Sequence, residues 1–206
     1  MNKLIFIGGP TASGKTTLVN KLDDFIDNAI SYRRVQGFFD IASQKNIDRN
    51  DIYKKISSEE VDDHFINICK NHEMVISDVH YAVQLSRAKT EDIDINENYV
   101  PTLSDSLIKK LRENKIEITI VYIDCPAEEC FKRQINRFKE TQKKVRNISI
   151  RDTEIENLSE KREFLHLSNF CDKILILDSN TMTTADMINE IITNVCKSHS
   201  VQKNRI

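Results

Sequence analysis

The reading of this chain turns on residues 3–22, Lys3-Leu-Ile-Phe-Ile-Gly-Gly-Pro-Thr-Ala-Ser-Gly-Lys-Thr-Thr-Leu-Val-Asn-Lys-Leu22. Leu4 to Ile7 is a short apolar run. Gly9-x-x-x-x-Gly14-Lys15-Thr16 follows, and Leu18, Val19, Leu22, Phe25 and Ile26 then recur at helical spacing. The pattern predicts a strand, a glycine loop and a helix, the context a phosphate-binding loop requires. Glycines let successive backbone N–H groups turn toward one anion, and the helix N-terminus adds its partial positive charge. Gly9, Pro10, Thr11, Ala12, Ser13, Gly14, Lys15, Thr16 and Thr17 are therefore the expected cradle for the phosphates of a nucleotide such as ATP. Lys15 can reach the outer phosphates, and the Thr16 hydroxyl is placed to hold Mg²⁺. The chain has only four glycines, and three of them (Gly8, Gly9, Gly14) fall here, so close backbone approach is demanded at this stretch.

Composition narrows the rest. With 206 residues, 39% hydrophobic and 30% charged, the chain can bury the core of one globular domain, residues 1–206, with room for a small lid. A net charge of −2 argues against a general nucleic-acid binder or a protein of anionic membranes. No apolar run approaches the ~20 residues of a spanning helix. The apolar N-terminal stretch runs straight into the glycine loop, which is not the pattern of a secretory leader. Five scattered cysteines without a C-x-x-C pair suit reduced thiols, so the expected compartment is the cytoplasm. Histidines 64, 72, 80, 166 and 199 show no metal-ligand spacing.

Along the chain, strands are expected at 3–7, about 29–32, 73–77, 116–123 and 173–177, with helices between them. This alternation predicts a three-layer α/β fold, a five-stranded parallel sheet covered on both faces, with a nucleotide at the carboxyl ends of the strands. Residues 29–70 read as a helical insertion, with Ile52 to Lys70 as one helix. Residues 86–100, polar and acidic, read as a solvated loop. The helix starting near Glu128 is expected to turn Phe131, Ile135 and Phe138 inward.

Two strand ends carry acids. Met74-Val75-Ile76-Ser77-Asp78 ends beside the glycine loop, where a carboxylate can hold Mg²⁺ or its water shell. Asp124 ends the strand 116–123 and is expected to cap the next helix. Residues 132–152 hold eight basic residues against two acids, a local +6 in a chain of −2. Such a block suggests a local anion, and Arg133 and Arg137 are its sharper members, because a planar fork matches phosphate oxygens.

Three further stretches narrow the reading. Ala29-Ile-Ser-Tyr-Arg33, the apolar segment ending Ile41-Ala-Ser-Gln-Lys-Asn-Ile47, and Arg49-Asn-Asp-Ile-Tyr-Lys-Lys-Ile56 together resemble the acceptor-nucleotide region of archaeal-type adenylate kinases. Asp78-Val-His80 with the later Tyr99-Val-Pro101 resembles that family's Asp-x-His and Tyr-Leu-Pro segments. Arg133-x-x-x-Arg137 after Tyr122-Ile-Asp-Cys-Pro126 is similar to the lid-entry arginine pair of nucleotide kinases. The resemblance implies Mg²⁺-dependent transfer of the ATP γ-phosphoryl group to a nucleoside monophosphate such as AMP. It makes residues 29–70 the acceptor-binding insertion and residues 133–155 the lid. It implies that Lys15 and the loop amides hold the β- and γ-phosphates, that Thr16 binds Mg²⁺ and that Asp78 binds its coordinated water. Arg133, Arg137 and one of Arg146 or Arg151 would close over the transferring phosphate, Arg33 or Arg34 would hold the acceptor phosphate, and His80 would line the acceptor site.

The chain departs from that family in two places: the loop is not its glycine- and valine-rich version, and the stretch between Asp-x-His and Tyr-x-Pro is long. Both bear on the acceptor more than on the chemistry, which leaves a nucleoside, a sugar or an acid as alternatives. The words Gly9-Pro-Thr-Ala-Ser-Gly-Lys-Thr16 are also similar to the opening of tRNA dimethylallyltransferases, but the Asp-Ser-x-Gln motif of that family is missing. A nucleotide-dependent switch that hydrolyses ATP without transfer is the third reading.

Overall fold

A computed structural model describes residues 2–84, 99–142 and 149–195. Its centre is a five-stranded sheet of β1 (Lys3–Gly8), β2 (Ala29–Ser31), β3 (Met74–Asp78), β6 (Glu117–Asp124) and β7 (Lys173–Asp178), in the order β2-β3-β1-β6-β7. All four pairings are parallel. The central strands are buried on both faces: Leu4, Ile5, Phe6 and Ile7 are wholly inaccessible, as are Ile118, Ile120, Val121 and Ile123. That is why they read in sequence as unbroken apolar runs instead of alternating ones.

Helices cover both faces. On one side α1 (Lys15–Leu22) and α8 (Thr184–Val195) pack Leu18, Leu22, Ile188 and Ile191 on Ile5, Ile7, Ile76 and Val121. On the other, α4 (Ser58–Asn71), α5 (Asp105–Glu113) and α7 (Ile150–Ser168) pack Phe65, Leu107 and Phe164 on Leu4, Phe6, Ile120 and Tyr122. Between β2 and α4 lie α2 (Gln36–Lys45), a short 3₁₀ turn at Arg49–Asp51 and α3 (Ile52–Lys55). Their own small core joins Ile41, Ala42, Ile52, Ile56 and Val61.

Four local expectations are corrected. Ile52 to Lys70 is two helices: Ile56 is buried in an extended conformation, and the Ser57 hydroxyl accepts from Glu60 N–H to start α4 anew. Tyr99–Pro101 lies in no loop; this strand, β5, pairs antiparallel with β4 (Ala82–Gln84). Residues 86–98, the rest of that expected loop, lie outside the described residues. Asp124 does not cap the following helix, α6 (Ala127–Thr141), but accepts from Lys161 Nζ at 3.0 Å. Finally, α6 buries Cys130 and Gln134 while Phe138 stands 41% exposed. This helix packs chiefly on α7.

Candidate active site

The site is built at the carboxyl ends of β1 and β3. β1 runs into the glycine loop, where Gly9 has φ +139° and a Cβ there would lie 2.6 Å from the Ile123 carbonyl oxygen. Gly14, at φ +105°, turns the chain into α1. Both conformations are costly for any residue with a side chain, which fixes the loop's shape. Lys15 is buried, and its Nζ donates to Gly9 O at 2.5 Å and Pro10 O at 2.8 Å. The ammonium thus lies over the concave side of the loop, where an anion would meet it together with the amides.

β3 delivers Asp78 opposite this loop. Its Oδ2 accepts from Thr16 Oγ1 at 2.8 Å and from Arg33 Nη2 at 2.8 Å. Arg34, the next residue, donates from Nε to Asp62 Oδ1 at 2.5 Å and from Nη2 to Ser58 O at 3.2 Å. Arg133 donates from Nε to Glu129 Oε1 at 2.8 Å, one helical turn back. The Arg137 Nε is buried with no hydrogen-bond acceptor among the described residues. A buried guanidinium nitrogen without an acceptor is costly, and a phosphate oxygen would satisfy it.

One cavity of about 1140 Å³ gathers these groups. Thr11, Ala12, Gly14, Lys15, Thr16 and Thr17 form its floor, and Arg133 and Arg137 close one side. Arg33, Arg34, Asp78 and His80 also line it. Five cationic side chains face two acidic ones, Asp62 and Asp78, so the space suits an anionic ligand. The glycine cradle, Lys15 and the orphaned Arg137 nitrogen fit a nucleotide polyphosphate. The adjacent hydroxyl and carboxylate of Thr16 and Asp78 are the hard oxygen donors that Mg²⁺ takes. Arg151 is exposed and does not line the cavity, and Arg146 lies outside the described residues.

Sequence reasoning missed several neighbours. Ser58, Asp62, Val83, Thr102 and Ser104 also line the cavity, brought in by α4 and the β4–β5 hairpin. More unexpected are two glutamates one turn apart on α7. Glu156 Oε1 accepts from Thr11 N at 3.0 Å and from Thr11 Oγ1 at 2.5 Å. Glu160 is wholly buried; it accepts from Tyr81 N at 2.6 Å and sits 2.6 Å from His80 Nδ1. Burial pushes the Glu160 carboxyl up to about 8, with Lys15 pulling the other way. The sequence signal was present but faint: Thr153, Glu156, Glu160 and Phe164 share one helical face, and that face is the buried one.

No known protein family matches the sequence, and no curated protein sequence matches it. Solved structures do match in shape. The tunicamycin resistance protein of Deinococcus radiodurans superposes with a TM-score of 0.56 at 12% identity, over 95% of this chain and 96% of that one. The YorR protein of Bacillus subtilis, in complex with phosphorylated GDP, gives 0.54 at 14% identity over 96% and 99%. Shikimate kinase from Acinetobacter baumannii, in complex with shikimate, gives 0.50 at 12% identity over 95% and 93%. At these identities the likeness is one of fold alone: the three-layer P-loop fold, a parallel sheet covered by helices on both faces. No described helix is long and apolar enough to cross a membrane.

Proposed function

We propose that this chain is a Mg²⁺-dependent phosphotransferase that moves the γ-phosphoryl group of ATP to a small anionic acceptor, a nucleoside monophosphate such as AMP being the first candidate. One observation carries the reading. Segments far apart in sequence, 11–17, 33–34, 78–80 and 133–137, meet around a single cavity with the charge and hydroxyl groups such a transfer needs. Phosphoryl transfer asks little covalent chemistry of a protein; it asks for alignment and for balance of charge on the moving group.

In this reading Lys15 and the loop amides hold the outer phosphates. Thr16 and Asp78 hold the metal and its water, and the bound ion would neutralise charge between the phosphates. Arg133 and Arg137 close over the donor side within the lid, residues 133–155. Arg33 and Arg34 anchor the acceptor's anionic group at the edge of the insertion, residues 29–70, and His80 lines the acceptor side. The acidic chain and the compact cavity favour a small molecule over a nucleic acid as partner.

The test is ADP formation with Mg²⁺ and ATP against a panel of AMP, GMP, CMP, UMP, nucleosides, sugars and small acids. Turnover that depends on one acceptor supports the reading. The same slow ADP formation in every tube contradicts it and leaves an ATPase or switch.

A further inference from the structure

The Pro10–Thr11 peptide unit is held at both ends. Its carbonyl oxygen accepts from Lys15 Nζ at 2.8 Å and from Ser13 N at 3.1 Å. Its N–H, on Thr11, donates to Glu156 Oε1 at 3.0 Å, and the Thr11 hydroxyl donates to the same oxygen at 2.5 Å. Thr11 lines the large cavity; Glu156 is buried and does not. Ala12, the next residue, has φ +68°, a conformation that few residues with a side chain adopt. Such backbone keeps its shape only where its surroundings fix it.

Helix α7 is a firm base for this contact. A capping box between Ser149 and Asp152 closes its first turn, and Phe164 and Leu167 anchor its other end in the core. One turn after Glu156, Glu160 makes the same kind of contact with the chain beyond β3, accepting from Tyr81 N at 2.6 Å. Resting on the kinase reading above, we infer that Glu156 is a positioning residue for the phosphate donor. It fixes the Pro10–Thr11 peptide, and through it the aim of Lys15 and of the loop amides that follow. The donor then meets a loop that needs no rearrangement, and preorganised groups gain their advantage in that way. Charge alone would disfavour an anion so near a polyphosphate cradle. The contribution of Glu156 is therefore to the order of the loop, and a neutral side chain of the same shape can make it.

Calorimetric titration of the full chain with Mg²⁺ and a non-hydrolysable ATP analogue tests this, beside steady-state turnover on the acceptor that the panel identifies. Glu156→Ala should weaken the analogue about tenfold or more and lower kcat/KM for ATP by as much, with one site per chain retained and the acceptor's KM unmoved. Glu156→Gln keeps an oxygen where Oε1 stands and should bind the analogue within about twofold of the parent chain. Thr11→Val removes the hydroxyl and keeps the amide, so its loss should be smaller than that of Glu156→Ala. Both changes act through one contact. The double variant Thr11→Val/Glu156→Ala should therefore lose no more than Glu156→Ala alone.

Analogue affinity in Glu156→Ala equal to the parent's overturns the inference, and so do losses that simply add in the double variant. Should Glu156→Ala show no cooperative urea transition, the other two variants decide. Weaker binding by Thr11→Val with parent-like binding by Glu156→Gln upholds the inference; parent-like binding by Thr11→Val, or a loss in Glu156→Gln as large as in Thr11→Val, overturns it. The inference and the kinase reading fail separately. Parent-like turnover by Glu156→Ala on an identified acceptor removes the inference and leaves the kinase. Weakened analogue binding with no acceptor phosphorylated by the parent chain keeps Glu156 as the support of a nucleotide site and removes the kinase.

Discussion

The Arg33 guanidinium and the Asp78 carboxylate form a 2.8 Å ion pair on the very oxygen to which Thr16 donates. Under the proposed function Thr16 and Asp78 would hold the metal and Arg33 the acceptor, so the shared oxygen would couple donor and acceptor binding. Asp78→Asn keeps the shape and removes the charge. It should weaken the Mg²⁺ dependence of turnover and lower kcat by about 10²-fold, the scale of losing one preorganised electrostatic group. Arg33→Ala should instead raise the acceptor's KM and leave the Mg²⁺ titration nearly unmoved. Steady-state kinetics over Mg²⁺ and acceptor concentrations separate the two.

Lys15 is held on Gly9 O and Pro10 O. In the proposed function its ammonium is the charge that would follow the outer phosphates into the transition state. Lys15→Ala should cost about 10²–10³ in kcat/KM, roughly 3–4 kcal/mol of transition-state stabilisation. Unchanged turnover would remove the loop from the chemistry.

Glu160 gives a prediction about pH. Its carboxyl is raised from 4.5 to about 8 by burial. Between those values the folded chain keeps a proton that the unfolded chain releases, so this group makes stability fall as pH rises through the window. Urea midpoints should drop between pH 5 and pH 8. Glu160→Gln, which keeps the shape and cannot ionise, should flatten that drop and be the more stable form at pH 8. An unchanged slope would mean that Glu160 ionises normally in the fold.

Tyr81 is the largest wholly buried side chain behind the site, and its hydroxyl donates to Val121 O at 2.9 Å. A Cβ on Gly8 would lie 2.1 Å from its ring. Gly8→Ala should therefore force the ring or β1 to move and destabilise the fold by about 1–3 kcal/mol. Equilibrium unfolding in urea reads this directly.

The sheet was legible in the sequence because its central strands are buried on both faces and carry no alternation to blur them. The glycine loop was legible because backbone geometry restricts residue type there. Asp78 was legible by position alone, at the end of a strand beside that loop. Other features depended on partners far away in sequence. Glu156 and Glu160 look like ordinary helix-surface acids until Thr11, His80 and the Tyr81 amide are brought against them. The β4–β5 pairing was hidden because, among the described residues, three of each strand take part and one of them is Pro101. On α6 the aromatic residues suggested an inward face, yet the helix packs chiefly on α7 and leaves Phe138 exposed.

The most direct test is to follow the terminal phosphoryl group itself. With γ-labelled ATP, Mg²⁺ and the acceptor panel, a short incubation should place label on one acceptor, in an amount equal to the ADP formed. Removing Mg²⁺ or substituting Lys15 should abolish that transfer. Label recovered only as inorganic phosphate, at a rate no acceptor alters, would contradict the assignment of this cavity to phosphoryl transfer.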